Sequence, residues 1–242
     1  MQGIILTAGR GLRLKNLTTS KPKALIPVLG RPLLEYCLNF LNKDACEKII
    51  IVTGFKSEEV VNFLNNFPID HKKIVIVHNP LFELGNIVSL KTALPHINDS
   101  FLLMNVDHIY YHPQIFDIIS KNISGITAVC DFDRTLGEDD MKLLLDKKSN
   151  VVKINKKLQQ YTGGYIGITT CQKEFLDVYK DAVNKVCEMS RGNTYVEEVL
   201  QYLCDQGVEI RTCDISNLGW AEVDTETDLQ KANEILREFH SR

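Results

Sequence analysis

The sequence predicts an α/β layered sheet folded as one domain. Three observations predict it. Apolar, β-branched runs alternate with helical patterns from end to end, no linker-like stretch interrupts them, and 242 residues suffice for one full core. Strands are expected at Gly3 to Leu6, Lys48 to Thr53, Lys73 to Val77, Phe101 to Val106, Gly125 to Cys130, Met141 to Leu145, Tyr165 to Ile168, Glu209 to Cys213 and Trp220 to Val223. Several are apolar at every position, the pattern of strands buried on both faces. Helices are expected at Leu33 to Leu41, Ser57 to Phe67, Ile87 to Leu94, Pro113 to Ser120, Gln172 to Cys187, Tyr195 to Cys204 and Thr225 to Phe239. The last is the best defined: Thr225 reads as its N-cap with Asp228 three residues on, and Leu229, Ala232, Leu236 and Phe239 fall on one face. From Asp131 to Thr162 the pattern weakens. Alternation in Lys142 to Asp146 and Val151 to Asn155 predicts a hairpin, a small insertion spanning about residues 131–165 of a domain that covers 1–242.

Charge is distributed unevenly. Lys and Arg number 28 against 31 Asp and Glu, a net charge of −3. Yet Arg10, Arg13, Lys15, Lys21, Lys23 and Arg31 all precede the first acid, Glu35. A polyanion is the natural partner for that stretch. With a pI near 6.1 and no basic tail, the molecule lacks the broad positive face that nucleic acid binding needs, so the expected anion is small. Seven widely spaced cysteines without a C-x-x-C exclude a disulfide framework or zinc ribbon, and reduced thiols point to a cytoplasmic location. The start at Met1-Gln2-Gly3 enters a strand at once, without a signal-peptide pattern. No run approaches the roughly 18 apolar residues of a membrane span, so no membrane association is expected.

The first strand runs into Leu6-Thr7-Ala8-Gly9-Arg10-Gly11, whose glycines let backbone N–H groups approach an anion. Leu14 stands where a dinucleotide fingerprint needs its third glycine, and no G-x-x-x-x-G-K-[ST] occurs, so neither common phosphate loop is present. Arg13 follows, and Pro22 fixes the backbone ahead of Lys23 and so helps to aim its ammonium.

Carboxylates at strand ends are the remaining candidates for a site beside such an anion, and two positions stand out. Asp107 ends the apolar strand Phe101 to Val106, where open α/β sheets bind ligands, though an acid there also fits a helix cap. In Trp220-Ala-Glu222-Val-Asp224, alternation puts Trp220, Glu222 and Asp224 on one face, while Asp224 also fits the start of the last helix. The six histidines show no ligand spacing and read as structural or solvent-facing.

Leu6, Ala8, Gly9, Gly11, Arg13, Thr18, Pro22, Lys23, Leu25, Pro27 and Val28 together resemble the signature of the nucleotidyltransferases that make nucleotide-diphosphate conjugates, L-x-A-G-x-G-x-R, then T, then P-K-x-L-x-P-V. Val223-Asp224-Thr225 with Asp228-Leu229 resembles the family's late V-D-T-x-x-D-L. The resemblance covers most of the chain. It implies a three-layer α/β/α, Rossmann-like mixed sheet of the nucleotide-diphospho-sugar transferase type. It also implies that Leu6, Thr7, Ala8, Gly9, Arg10 and Gly11 wrap a nucleoside triphosphate, that Arg13 and Lys23 are catalytic, and that Asp107 and Asp224 hold Mg²⁺. Thr7 replaces the family's usual Ala or Gly and Asn16 its usual Pro; the first touches the expected base pocket.

Gly85 and Asn86 match the segment that reads base and ribose, and equally a plain helix start. Thr162-Gly163-Gly164 resembles the acceptor-side T-G segment, although a tight turn explains those glycines too. Among Lys153, Lys156 and Lys157 the resemblance would put one, Lys156 for instance, on the acceptor phosphate, while a lysine run also reads as a solvated face. Glu222, Trp220 and Tyr110, with Tyr111, Tyr165 and Asp131, are candidates for the acceptor pocket or for ordinary packing.

Gly85-Asn86 with Ser89-Leu90, and Asp107-His108-Ile109-Tyr110, look most like the cytidylyltransferase branch, whose members activate phosphocholine, 2-aminoethylphosphonate or inositol 1-phosphate with CTP. The alternatives are a sugar-1-phosphate nucleotidyltransferase and a catalytically silent nucleotide-binding subunit. A glycosyltransferase would need a donor-site D-x-D, and Asp131-Phe132-Asp133 has only the spacing. Oligomeric state is left open.

Overall fold

The computed structural model of the chain describes residues 1–241. Its first strand, β1 (Gln2–Leu6), is buried at every position in the middle of a nine-stranded mixed sheet. A helical turn α1 (Leu17–Ser20), a ribbon of β2 (Pro27–Val28) and β3 (Arg31–Pro32), and helix α2 (Leu33–Leu41) lead to β4 (Lys48–Thr53). Then follow α3 (Ser57–Asn66), β5 (Ile74–His78), α4 (Asn86–Ala93) and β6 (Phe101–Asn105). The second half contains β7 (His108–Tyr110), α5 (Ile115–Lys121), β8 (Ile126–Asp131), β9 (Lys142–Leu145), β10 (Val151–Asn155) and β11 (Gly163–Cys171). It closes with α6 (Leu176–Met189), α7 (Glu197–Asp205), β12 (Ile210–Asp214), β13 (Trp220–Glu222) and α8 (Glu226–His240).

The sheet runs β10-β9-β11-β6-β1-β4-β5, with β8 also on β11 and β12 on β8. Strands β6, β1, β4 and β5 are mutually parallel, whereas β11 is antiparallel to β6. Alternation divides the apolar strands between two cores. Ile5, Ile49, Ile51, Leu102 and Met104 meet α2, α3, α5 and α8 on one side; Ile4, Ile50, Val52, Phe101 and Leu103 meet α4, α6 and α7 on the other. The three layers follow from that division, and so do the uninterrupted apolar runs in the sequence.

Strand and helix positions match the sequence reading to within a few residues, with instructive departures. The pair Gly163 and Gly164 is strand rather than turn, hydrogen-bonded to β9. A Cβ there would strike Phe132 or Leu136, so the glycines let the segment after β8 lie flat across β11. The expected hairpin forms as β9 and β10, but it extends the main sheet through β11. Helix α6 starts at Leu176 because a 3₁₀ turn, Lys173–Phe175, comes first. Strand β7, absent from the sequence reading, pairs antiparallel with β13. Lys142 is buried and donates to the carbonyls of Gly137 at 2.6 Å and Lys156 at 2.9 Å, tying the loop after β8 to the hairpin.

Gly167 couples this scaffold to the side chains at its edge. Its φ of +79° disfavours any L side chain, and a Cβ would lie 2.7 Å from His108 Nε2. Gly167→Ala is expected to destabilise the fold by about 2–4 kcal/mol in urea unfolding. An unchanged midpoint would mean that the His108 ring moves aside freely.

Candidate active site

The carboxyl ends of β1 and β6 open into a cleft of about 530 Å³. On one side the chain leaves β1 through Gly9, Arg10 and Gly11. Gly11 has φ +68°, and a Cβ would lie 2.8 Å from Lys23 Cβ, so this position needs glycine for both backbone and space. The Thr18 hydroxyl donates to Gly11 O at 3.0 Å and pins α1 beneath the loop. Lys23 begins a 3₁₀ turn after Pro22 and is 7% exposed.

The Lys23 ammonium donates to Asp107 Oδ2 at 2.7 Å and to Asp224 Oδ1. Arg13 donates to the other oxygen of Asp224. Neither aspartate caps a helix. Asp107 passes into β7, and α8 is capped by Thr225, whose Oγ1 accepts from Asp228 N–H while the Asp228 carboxylate accepts from Thr225 N–H at 2.9 Å. Asp224 is thereby released to face the cleft.

His108 is the residue here that the sequence reading missed. Its Nδ1 donates to Asp107 Oδ1 at 2.7 Å, and its Nε2 is 4.0 Å from Glu222 Oε1. The ring lies between Tyr110 and Trp220, with centroids 6.1 Å and 5.7 Å away. The signal available was alternation: residues 108 and 110 share a face of a short strand opposite Trp220 and Glu222, but three residues are too few to declare it.

Charge determines how these groups titrate. Burial alone would lower the Lys23 pKa, but the charges of Asp107 and Asp224 outweigh it and raise it. Burial would raise Asp107; the Lys23 ammonium and the His108 bond overcome that and hold it well below the usual carboxylate range. His108 rises to about 9, because Glu222 and Asp107 outweigh its desolvation. Glu222 rises to about 7 through burial and the neighbouring charges of Asp107 and Asp224, with His108 opposing.

Leu6, Ala8, Gly9, Arg10, Gly11, Arg13, Lys23, Gly85, Asn86, Asp107, Lys156, Trp220, Glu222 and Asp224 all line the cleft, so one cleft gathers most of the residues singled out in the sequence. Three do not line it. Thr7 is buried with its hydroxyl on Val52 O at 2.8 Å, because strand alternation carries one residue past Leu6 and turns it into the sheet. Tyr110 donates to Ile166 O at 2.6 Å from within the core. Gly164 is covered by Leu136. Glu197, at the start of α7, also lines the cleft and was not anticipated. Asp131 accepts from Trp220 Nε1 at 2.7 Å and from the N–H groups of Asp133 and Arg134, which commits it to structure.

Asp107 and Asp224 fit a divalent cation, since both carboxylates converge on a single positive atom, Lys23 Nζ. Ligand atoms of Asp107, His108 and Glu222 also lie within 4.8 Å of one another, with His108 Nδ1 on Asp107 and Nε2 toward Glu222.

Residues 3–144 match the family model described as the MobA-like NTP transferase domain. The chain is 25% identical over 242 residues to the bifunctional protein GlmU of Methanocaldococcus jannaschii, covering 98% of this chain and 54% of that protein. It is 26% identical to the bifunctional IPC transferase and DIPP synthase of Thermococcus kodakarensis, covering 97% and 50%. The chain thus spans about half the length of these curated relatives. Among solved structures, the inositol-1-phosphate CTP transferase from T. maritima superposes with a TM-score of 0.79 at 23% identity, over 98% of this chain and 95% of that one. The CTP:phosphocholine cytidylyltransferase from Streptococcus pneumoniae superposes with a TM-score of 0.77 at 22% identity, over 97% and 98%. These likenesses establish the nucleotide-diphospho-sugar transferase type of α/β fold.

Two outcomes follow from the site's charges. Lys23→Met strands two carboxylates and is expected to cost about 3 kcal/mol in urea unfolding, part of it recovered in the Lys23→Met/Asp107→Asn double variant. Simple additivity of the two changes would deny the coupling. His108 keeps its proton in the folded chain after the unfolded chain has released it. Its contribution is therefore complete below pH 6.5 and lost as pH rises through about 9. The ligand-free protein should lose about 2 kcal/mol over that window, and His108→Gln should flatten the decline.

Proposed function

The chain belongs to the MobA-like NTP transferase domain family, and from that premise we propose that it is a CTP-dependent cytidylyltransferase that transfers CMP to a small phosphate or phosphonate acceptor and releases pyrophosphate. One observation carries the reading. Arg13, just after the glycine-rich loop, and Lys23, from the turn after Pro22, meet Asp107 and Asp224 from two strand ends inside one cleft. The choice of CTP is supported by two fold relatives, the inositol-1-phosphate CTP transferase and the CTP:phosphocholine cytidylyltransferase, which match over nearly their whole lengths.

In the proposed reaction an acceptor oxygen bonds to the α-phosphorus as the bond to the bridging oxygen breaks, and that electron pair leaves on pyrophosphate. The acceptor oxygen is already ionised near neutral pH, so no side chain has to remove a proton. Backbone N–H groups around Gly9 and Gly11 cradle the triphosphate, while Arg13 and Lys23 balance the charge that builds on the leaving group. Mg²⁺ is the proposed cofactor, held by Asp107 and Asp224, and when bound it would neutralise phosphate charge. Gly85 and Asn86 would line the base and ribose end. Asn86 is fixed for that position: its Oδ1 accepts from Val196 N–H at 2.9 Å and its Nδ2 donates to Asn105.

A sugar-1-phosphate acceptor is the second reading, favoured by the 30% identity of half of this chain to the UTP–glucose-1-phosphate uridylyltransferase AglF of Haloferax volcanii. Pyrophosphate release with Mg²⁺, scanned across nucleoside triphosphates and acceptors, separates the two. Release is expected with CTP and a small phosphate or phosphonate, and release only with a sugar 1-phosphate would select the second reading. Arg13→Ala, at an exposed position, should lower kcat/KM about a hundredfold without unfolding the protein. Near-wild-type turnover would remove Arg13 from the mechanism.

A further inference from the structure

The acceptor's chemical class is legible in the wall of the cleft facing the glycine loop. This step rests on the cytidylyl-transfer reading above and narrows it. Lys156, Tyr165, Tyr195, Glu197, Trp220 and Glu222 form that wall, contributed by the hairpin, β11, the start of α7 and β13. Glu197 stands out there. Among the described residues its own N–H is the one hydrogen-bond donor to its carboxylate and it makes no ion pair; Lys156 and His108 act on it only through their fields. Burial pushes its pKa above the ordinary carboxylate value, as expected for an acid awaiting a positive partner.

The rest of the wall bears on what that partner is. A polyol needs several free neutral hydrogen-bonding side chains. Asn86, Ser89 and Asn105 are the amide and alcohol side chains lining the cleft, and each is already bonded to protein: Asn86 to Val196 N–H and Asn105, Ser89 to Asn79 at 3.0 Å. The Tyr165 hydroxyl is engaged by Thr169 at 2.9 Å. Charge also disfavours a wholly anionic acceptor, because Asp139, Asp140, Glu197 and Glu222 line the wall against Lys156 and His108. Its aromatic rings already attract cations of the chain itself. Lys156 Nζ lies 5.6 Å from the centre of Tyr195, while Trp220 is already taken by the stacked His108 ring and by the Arg134 guanidinium carbon 4.1 Å from its centre.

We infer that the acceptor is a zwitterion, its phosphate or phosphonate directed to Lys156 and Lys23 and an amine or quaternary ammonium seated against Glu197 beside Tyr165 and Tyr195. A primary amine would draw mainly on the carboxylate, a quaternary ammonium mainly on the rings.

The test compares phosphocholine and 2-aminoethylphosphonate with their uncharged isosteres, 3,3-dimethylbutyl phosphate and propylphosphonate, and with inositol 1-phosphate and sugar 1-phosphates. Pyrophosphate release with CTP is the readout. A cationic acceptor is expected to exceed its isostere by about a hundredfold in kcat/KM. Glu197→Gln should raise KM for that acceptor about tenfold and narrow the gap to the isostere, while CTP affinity, measured by calorimetry, stays put and reports an intact fold. Equal use of an isostere, or turnover of a polyol or sugar phosphate with the cationic acceptors rejected, overturns the inference and leaves cytidylyl transfer standing. CTP binding without pyrophosphate from any pair overturns both.

Discussion

One ammonium holds the active end of the molecule together. Lys23 comes from a loop after the first strand, Asp107 from the end of β6 and Asp224 from the end of β13, and the three meet nearly removed from water. Two carboxylates that close would repel each other, and their burial would cost several kcal/mol without a cation between them. The basic opening of the sequence is the other side of that account. A chain that sends two aspartates to one point needs positive charge there, and the acid-free segment before Glu35 supplies it through Lys23 and Arg13.

The sheet makes this meeting possible. Parallel β1 and β6 are adjacent, so the loop leaving one and the aspartate leaving the other begin side by side. The small β7–β13 ribbon then carries Asp224 to the same place from near the other end of the chain, with His108 and Glu222 paired across it. Gly167 keeps β11 from pushing into the His108 ring, and α8 takes its own cap from Thr225 and Asp228, leaving Asp224 unspent. Each is a local backbone decision with a consequence in the cleft.

Much of this was legible in the residues, and the limits have physical causes. The strand cores, the hairpin and the Thr225 cap are encoded by short-range periodicity and capping chemistry, which one sequence carries in full. Asp107 was legible because an apolar run ends on it. Thr7 was misplaced because a motif read as a string ignores alternation, which turns that side chain into the sheet toward Val52. Tyr110 and Gly164 were left open between acceptor contact and ordinary packing or turn, because the neighbours that cover them, Ile166 and Leu136, are distant in sequence. His108 and Glu197 went unseen for the converse reason. Glu197 sits in no distinctive local pattern, and the alternation around His108 is too short to assign its side chain a place, so only the tertiary fold brings them to the cleft.

The site is also where the fold is least content. Glu222 sits near Asp107 and Asp224 with its pKa raised to about 7, and Glu197 is half-buried with no ionic partner among the described residues. A protein selected only to fold, or only to hold a nucleotide, would gain stability by replacing either with an uncharged side chain of similar size. Their presence beside intact Arg13, Lys23, Asp107 and Asp224 runs against a silent subunit. Local rules of stability are broken here together, on one wall of one cleft, while strands, caps and cores elsewhere obey them. Such localised conflict is what a chain retains when its charges are meant for a ligand.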